Sequence, residues 1–412
     1  MDPLSRTAAE AADAADPLAG FRARFVDDAP DRIYLDGNSL GRLPLATRDR
    51  LAALTAEWGD RLVGGWSEWI DAPARSGDAI ADVIGAAPGE VVVCDSTTVN
   101  LFKLVGAVLD AGRGPGEVAL VTDRGNFPTD RYVLEGIAAQ RGLELRLFDG
   151  EPDAATLPCG PGDVVVLSHV AYRSGALADL GGLEAAARGR GATLIWDLSH
   201  SAGAVPVGLG DAGAELAVGC TYKYLNAGPG APAYLYVASA LQAQLRSPIW
   251  GWFGQRDQFA MERPYDPEPS IARFLAGTPS ILGLAAVEEG ARLTAEAGVA
   301  ALYAKAMALT ERLIALHDAW LAPLGFALDS PRDPARRGSH VALRHPDAWP
   351  ITRALVERAG VIPDFRGPDS VRLGIAPLYT RHVDVWDAID RLRHLVVRAE
   401  HLAFDAAPGR VT

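Results

Sequence analysis

Residues 193–203, TLIWDLSHSAG, and residues 221–230, TYKYLNAGPG, decide how this chain folds and what chemistry it can hold. The first is an apolar strand-like run that ends on a carboxylate, Asp197, and passes at once into small and polar residues. The second follows another apolar run, LAVGC, and places Lys223 between two tyrosines ahead of a glycine-containing turn. Strand ends line the carboxyl edge of an α/β sheet, where successive loops converge. A carboxylate and an amine delivered there together suit pyridoxal 5'-phosphate (PLP). Its aldehyde forms an imine with a lysine, and its ring nitrogen keeps a proton beside a carboxylate. An unpaired carboxylate closing an apolar strand would cost several kcal/mol, so Asp197 calls for a cationic partner. The same residues also read as an Asp N-cap with a solvated His200, and as a surface lysine in a turn. The flanking aromatics and the glycines after Lys223 weigh against the surface lysine, because such a loop lets backbone approach a ligand closely.

On both sides of these runs the pattern alternates. Strand-like stretches occur at EVVVCDS, EVALVTD, LELRLFD, DVVVLSHV and APAYLYV, with the helical stretches VNLFKLVGAVLDA, DRYVLEGIAAQRG and GGLEAAARGRG between most of them. Continuously apolar strands alternating with helices predict an α/β fold with a mostly parallel sheet covered on both faces. Before this region, YLDGNSLGRLP (34–44) reads as a short strand and a turn whose proline opens a helix. After it, residues 247–280 are aromatic and proline-rich and predict an irregular loop. A long helical pattern follows over about 281–322, then a smaller α+β unit closed by an amphipathic helix from Val383 to about Leu402. The expected organisation is an N-terminal segment, 1–55, packing with the small domain; a large cofactor-binding domain, 56–290; and a bridging helix with the small domain, 291–412.

The chain has 412 residues, enough for two domains, since single cores stop growing near ~250–300 residues. A formal net charge of −13 argues against nucleic-acid or anionic-membrane partners, which demand an excess of Lys and Arg. The Ala-rich, acidic start has no apolar core of a signal peptide, and no apolar run is long enough to cross a bilayer, so a cytoplasmic address is expected. Three cysteines, Cys94, Cys159 and Cys220, are odd in number and lack CxxC spacing, which speaks against a disulfide framework and against a metal site.

Other strand ends add candidates. CDSTTVNLF places Ser96, Thr97 and Thr98 where a helix begins; hydroxyls and free N–H groups there suit a phosphate, although an ordinary N-cap would look the same. NFPTD offers Phe127 to stack on a ring and Asp130 to meet a polar substituent, while an aromatic after a strand is also common core. LSHV contributes Ser168. No phosphate-loop, HExxH or GxSxG pattern competes.

Taken in order, YLDGNSLG, NFPTD, DLSHSAG, CTYKYLNAGPGA, GWFG (251–254) and VRLGIAPLYT resemble the kynureninase family, within the class V branch of fold-type I PLP enzymes, over about residues 34–380. The resemblance implies an aspartate aminotransferase-like fold, PLP as cofactor, and hydrolysis of L-kynurenine, with 3-hydroxykynurenine a poorer substrate, to anthranilate and L-alanine in tryptophan degradation. It implies Lys223 as the Schiff-base lysine, Asp197 as the partner of the ring nitrogen, and Tyr222 as a proton donor. Thr97, Thr98 and Ser168 then match cofactor-contacting positions, as do Phe127, Pro128, Thr129 and Asp130. His200, Tyr222, Trp252 and Thr278 complete that set. Arg372 matches a clamp for the substrate carboxylate, with Asn38, Ser39, Trp66 and His200 also on the substrate side. The resemblance further implies a homodimer with composite sites, Trp252 and Thr278 serving the neighbouring subunit. Gln255, Thr278 and the Gly59-Asp60 pair depart from residues found in other members and bear on substrate preference, where kynurenine itself is expected to be favoured. Rival readings are a class V transaminase or cysteine desulfurase, and a PLP-sensing regulator. The desulfurase lacks support because Cys94 and Cys220 fall in strand-like runs and Cys159 in a Pro-flanked turn. The regulator lacks a basic DNA-reading module.

Overall fold

The computed structural model describes every residue except 1, 28, 30, 113–117, 262–263 and 406–412. Within it the apolar runs assemble into a seven-stranded sheet. The spatial order is Val91–Val93, Tyr234–Val237, Leu216–Gly219, Thr193–Asp197, Val164–Ser168, Ala119–Asp123, Glu144–Phe148. The last five run parallel to one another. Helices Thr97–Asp110, Pro128–Arg141 and Leu180–Gly189 lie in sequence between strands of this sheet, as parallel neighbours require a crossover. Central strands such as Thr193–Asp197 are buried at every residue, whereas the edge strand Glu144–Phe148 is half-buried. Of the EVALVTD run, Glu117 lies outside the described residues and the strand opens at Ala119.

One direction differs from a purely parallel reading. Tyr234–Val237 runs antiparallel to both Leu216–Gly219 and Val91–Val93. Residues 220–233, which contain Lys223, form turns without a crossover helix, so the chain returns beside the strand it has just left.

The described chain divides into two compact units, residues 46–172 with 178–295, and residues 1–45 with 173–177 and 296–412. The first division falls at 45/46, so the helix Leu45–Arg61 goes almost wholly with the large sheet, and residues 173–177 join the other unit. In that other unit an antiparallel sheet has the order Asp364–Arg366, Ser370–Gly374, His340–Arg344, Ala327–Leu328, and Ile33–Tyr34 pairs in parallel with Val361–Ile362. The N-terminal helix Arg6–Ala14 is tied in through polar contacts. Asp13 accepts from the backbone N–H of His382 and Val383 at 2.6 and 3.0 Å, satisfying the first free donors of the helix His382–Val397.

Two helical expectations are corrected. The pattern over 281–322 is not one helix: Ile281–Ala297 and Val299–Leu316 are separated by Gly298, whose φ of +80° takes the backbone out of the right-handed helical region. The closing helix spans His382–Val397 and stops before Ala399 at φ +55°, followed by a short 3-10 turn over Glu400–Ala403.

Candidate active site

At the carboxyl edge of the large sheet, strand ends and two helix starts surround a cavity of about 360 Å³. Asp197 is the last residue of its strand, and register places it directly beside Ser168, the last residue of the next. Both line the cavity. Asp197 is 6% exposed, and its Oδ1 accepts from the Ser199 N–H at 2.8 Å, which fixes one carboxylate oxygen. His200 follows in the same turn and also lines the wall.

Lys223 reaches this cavity from the turn after Leu216–Gly219. The turn is held by backbone and side-chain bonds: Asn226 N–H to Lys223 O at 2.9 Å, Ala227 N–H to Thr221 O at 3.1 Å, and Thr221 Oγ1 to Pro232 O at 2.7 Å. Asn226 takes φ +55°, a left-handed conformation that asparagine tolerates better than most residues. The Lys223 amine is buried, 5.8 Å from the centre of the Phe127 ring and 5.9 Å from that of Tyr222. Phe127 in turn meets Tyr172 edge-on, with centroids 5.2 Å apart. The neighbouring Cys220 thiol, and after it burial, push the Tyr222 phenol above its usual range, so it is a protonated donor at neutral pH.

Opposite Asp197 stands a second carboxyl, Asp130, 1% exposed on the first turn of the helix Pro128–Arg141. Burial first, and then the Asp197 charge, hold Asp130 well above the usual carboxylate range. Its Oδ2 has no donor to accept from among the described residues, and protonated it can donate to Asp197 instead. Two buried carboxyls at close range oppose each other's charge, and Asp130 takes the upward shift.

Ser96 is a true N-cap, its Oγ accepting from Val99 N–H at 3.4 Å, and it also lines the cavity with Thr97 and Thr98. The ordinary cap is therefore present, and it stands on the cavity wall. Thr129 lines the wall, while Pro128 begins the helix beside it. Asn126 has no role in the sequence reading, yet its Oδ1 accepts from Ser168 Oγ at 2.6 Å and from Phe127 N–H at 2.7 Å. Its Nδ2 donates to Thr122 at 3.0 Å, so one buried amide sets two cavity residues at once. The signal in sequence is a polar residue before FPTD; its partners lie far along the chain.

Three expected residues lie elsewhere in this unit. Trp252 is 39% exposed and lines a separate depression with Trp250 and Tyr265. Thr278 lines an adjoining cavity that shares Asp95 and Gly230 with the first. Trp66 lines an apolar groove with Leu54, Trp58, Trp69 and Ile281. In the other unit, Arg372, Asn38 and Ser39 come together. Arg372 is 1% exposed, donates to Ser39 Oγ at 3.2 Å and pairs with its cross-strand neighbour Asp364. With its amide oxygen turned to the guanidinium, Asn38 accepts from Nε at 2.7 Å and Nη2 at 3.0 Å. Burial lowers the Arg372 pKa, and the Asp364 charge opposes that shift.

No group of His, Cys, Asp and Glu among the described residues could hold a metal ion, and no described helix is long and apolar enough to cross a membrane. Cys94 and Cys220 are buried at strand ends and Cys159 is half-buried.

Comparison with known proteins gives two matching family models: aminotransferase class-V over residues 68–320, and the kynureninase C-terminal domain over residues 302–392. A kynureninase from Burkholderia pseudomallei (strain 1106a) is 44% identical over 402 residues, 95% of each chain. One from Pseudomonas fluorescens is 45% identical over 396 residues, 94% of each. Among solved structures, a cysteine desulfurase from Escherichia coli superposes with a TM-score of 0.77 at 18% identity, covering 93% of this chain and 98% of that one. Another from Thermococcus onnurineus NA1 gives 0.72 at 19%, covering 90% and 95%. At such identities the structural likeness speaks for the fold: a fold-type I PLP architecture.

Proposed function

The chain belongs to the kynureninase family, and on that premise we propose that it is a PLP-dependent hydrolase cleaving L-kynurenine to anthranilate and L-alanine. The observation that carries this reading is the convergence of Lys223, Asp197, Phe127 and the helix start at Thr97 on one 360 Å³ cavity. Its donor set fits the cofactor's chemistry: an amine for the aldehyde, the Asp197 side chain beside a second carboxyl kept neutral by burial for the ring nitrogen and a ring substituent, an aromatic face, and hydroxyls with helix N–H groups for the phosphate. When bound there, PLP supplies an electron sink for the substrate α-carbon.

The residues then divide the work. Lys223 would hold the cofactor aldehyde through its Nζ and would serve, at the same atom, as the base that takes the α-proton. Asp197 keeps the proton on the ring nitrogen, and Asp130, held neutral by burial, donates rather than repels. Thr97, Thr98 and Thr129 hold the phosphate end, and Phe127, Pro128 and Ser168 with His200 frame the ring. Tyr222 stays protonated and gives its proton late, as water adds to the γ-carbonyl and the bond between the β- and γ-carbons breaks. Arg372, preset by Asn38 and Ser39, clamps the substrate carboxylate with its planar fork.

We further read the protein as a cytoplasmic homodimer with composite sites, serving tryptophan catabolism and favouring kynurenine over its 3-hydroxy derivative. Trp250, Trp252, Phe259 and Met261 are exposed together in one segment of a single chain, which favours a covering copy. Within that dimer Trp252 and Thr278 serve the neighbouring site, and Trp66 borders the substrate. A net charge of −13 gives no basis for a nucleic-acid partner. The test is incubation of the PLP-loaded protein with L-kynurenine, with anthranilate fluorescence and alanine expected in equal amounts and both lost in Lys223→Ala. Turnover of cysteine or of amino acid/keto acid pairs in place of kynurenine would sink the reading.

A further inference from the structure

Lys103 sits midway along the helix Thr97–Asp110 with its side chain fully buried. Helical side chains lean toward the N-terminus, and this one carries its ammonium back beneath the turn that ends the strand Val91–Val93. There it pairs with the Asp95 carboxylate, donates to the Phe274 carbonyl at 2.7 Å and lies 3.8 Å from Cys94 Sγ. Asp95 holds φ +46°, a left-handed conformation that costs a non-glycine residue energy unless its surroundings fix it. Its carbonyl is fixed by Ala233 N–H at 2.9 Å, and the Asn100 amide fixes the carbonyl before it, on Cys94, at 2.8 Å. The next residues are Ser96, Thr97 and Thr98 on the cavity wall, while Phe274 closes the 3-10 turn just ahead of Thr278.

Lys103 is not among the residues lining the cavity. A buried ammonium is costly, and an apolar side chain would fill the same helix face at lower cost. What the ammonium provides is control of a strained turn, anchored to a carboxylate that does line the cavity. We propose that Lys103 is a positioning residue for the cofactor phosphate, acting through Asp95. By holding Asp95 left-handed, it keeps Ser96, Thr97 and Thr98 in place to receive the phosphate, and by holding Phe274 it fixes the approach to Thr278. The inference rests on the reading that the helix start binds the phosphate.

The experiment compares two probes on the apoprotein, PLP and pyridoxal, which has the same ring without the phosphate. In Lys103→Met, the Kd for PLP is expected to rise about tenfold or more, the order of one lost charged contact, while that for pyridoxal moves less than about twofold. If Lys103→Met does not fold, Lys103→Arg replaces it with the same selective loss expected, since a planar fork does not reproduce one nitrogen shared among three acceptors. Unchanged PLP affinity, or equal weakening of both probes, overturns the proposal. Thr97→Val and Thr98→Val separate it from its premise. If they leave the preference for PLP over pyridoxal intact, the phosphate reading itself falls. If they erode it and the Lys103 variants do not, the positioning role alone falls.

Discussion

Asp197 and Asp130 are two buried carboxyls lining one cavity with the Lys223 amine. Burial and the Asp197 charge raise Asp130, so its proton stays on as pH rises through the ordinary carboxylate range. Asp197 has its Oδ1 fixed by the Ser199 N–H. Asp197→Asn keeps the shape and removes that charge. Turnover is expected to fall by about a hundredfold or more, the usual scale for losing a preorganised electrostatic group, whereas PLP content falls far less. Both are measured on one preparation, cofactor by absorbance and turnover by anthranilate release. Turnover at the level of the unaltered protein would mean that another group, Asp130 foremost, pairs with the ring nitrogen. The chemistry of Lys223, Asp197 and Phe127 was legible because each ends or follows an apolar run. Asn126, Tyr172 and the Lys103–Asp95 pair were not, because nothing local distinguishes a polar or aromatic residue that serves a distant partner from one that does not.

At the scale of elements, glycine reports where backbones touch. In the helix Ala72–Ile84, a Cβ on Gly77 would stand 2.1 Å from the carbonyl oxygen of Val91, on the strand that leads to the Asp95 turn. Gly77→Ala gains helix propensity of up to about 1 kcal/mol, yet overpacking of this kind costs about 1–3 kcal/mol, so the clash wins. A lower melting temperature for the apoprotein is the expected result. Gly136, inside the helix Pro128–Arg141 with nothing within 4 Å of its would-be Cβ, is the contrast: Gly136→Ala should stabilise by about 0.4–1 kcal/mol. Equal melting shifts in both variants would show that the helix Ala72–Ile84 does not pack backbone to backbone on Val91. Periodicity located the helix Pro128–Arg141 in the stretch DRYVLEGIAAQRG and left Ala72–Ile84 unread, and it did not stop the pattern at Gly298, since apolar spacing continues across a residue whose φ ends the helix.

For the whole molecule, the proposed dimer makes a prediction that a single-chain site does not. Lys223→Ala and Trp252→Ala homodimers should each be impaired. A mixed dimer would hold one site with Lys223 from one chain and Trp252 from the other, both intact. Co-expression should therefore restore activity above that of either parent. Verified heterodimers without such recovery would show that each site is complete within one chain.

The sequence by itself determined the alternation of strand and helix, the residues that end each strand, and the cofactor those residues suit. These are encoded locally, because period and polarity report which face of an element is buried and where it stops. The tertiary structure decided the antiparallel direction of Tyr234–Val237, the confrontation of Asp130 with Asp197, the cross-strand pairing of Arg372 with Asp364, and the reach of Lys103 to Asp95 and Phe274. Each depends on which strands become neighbours and on how a turn is held, and that choice is made by packing between segments far apart in the chain.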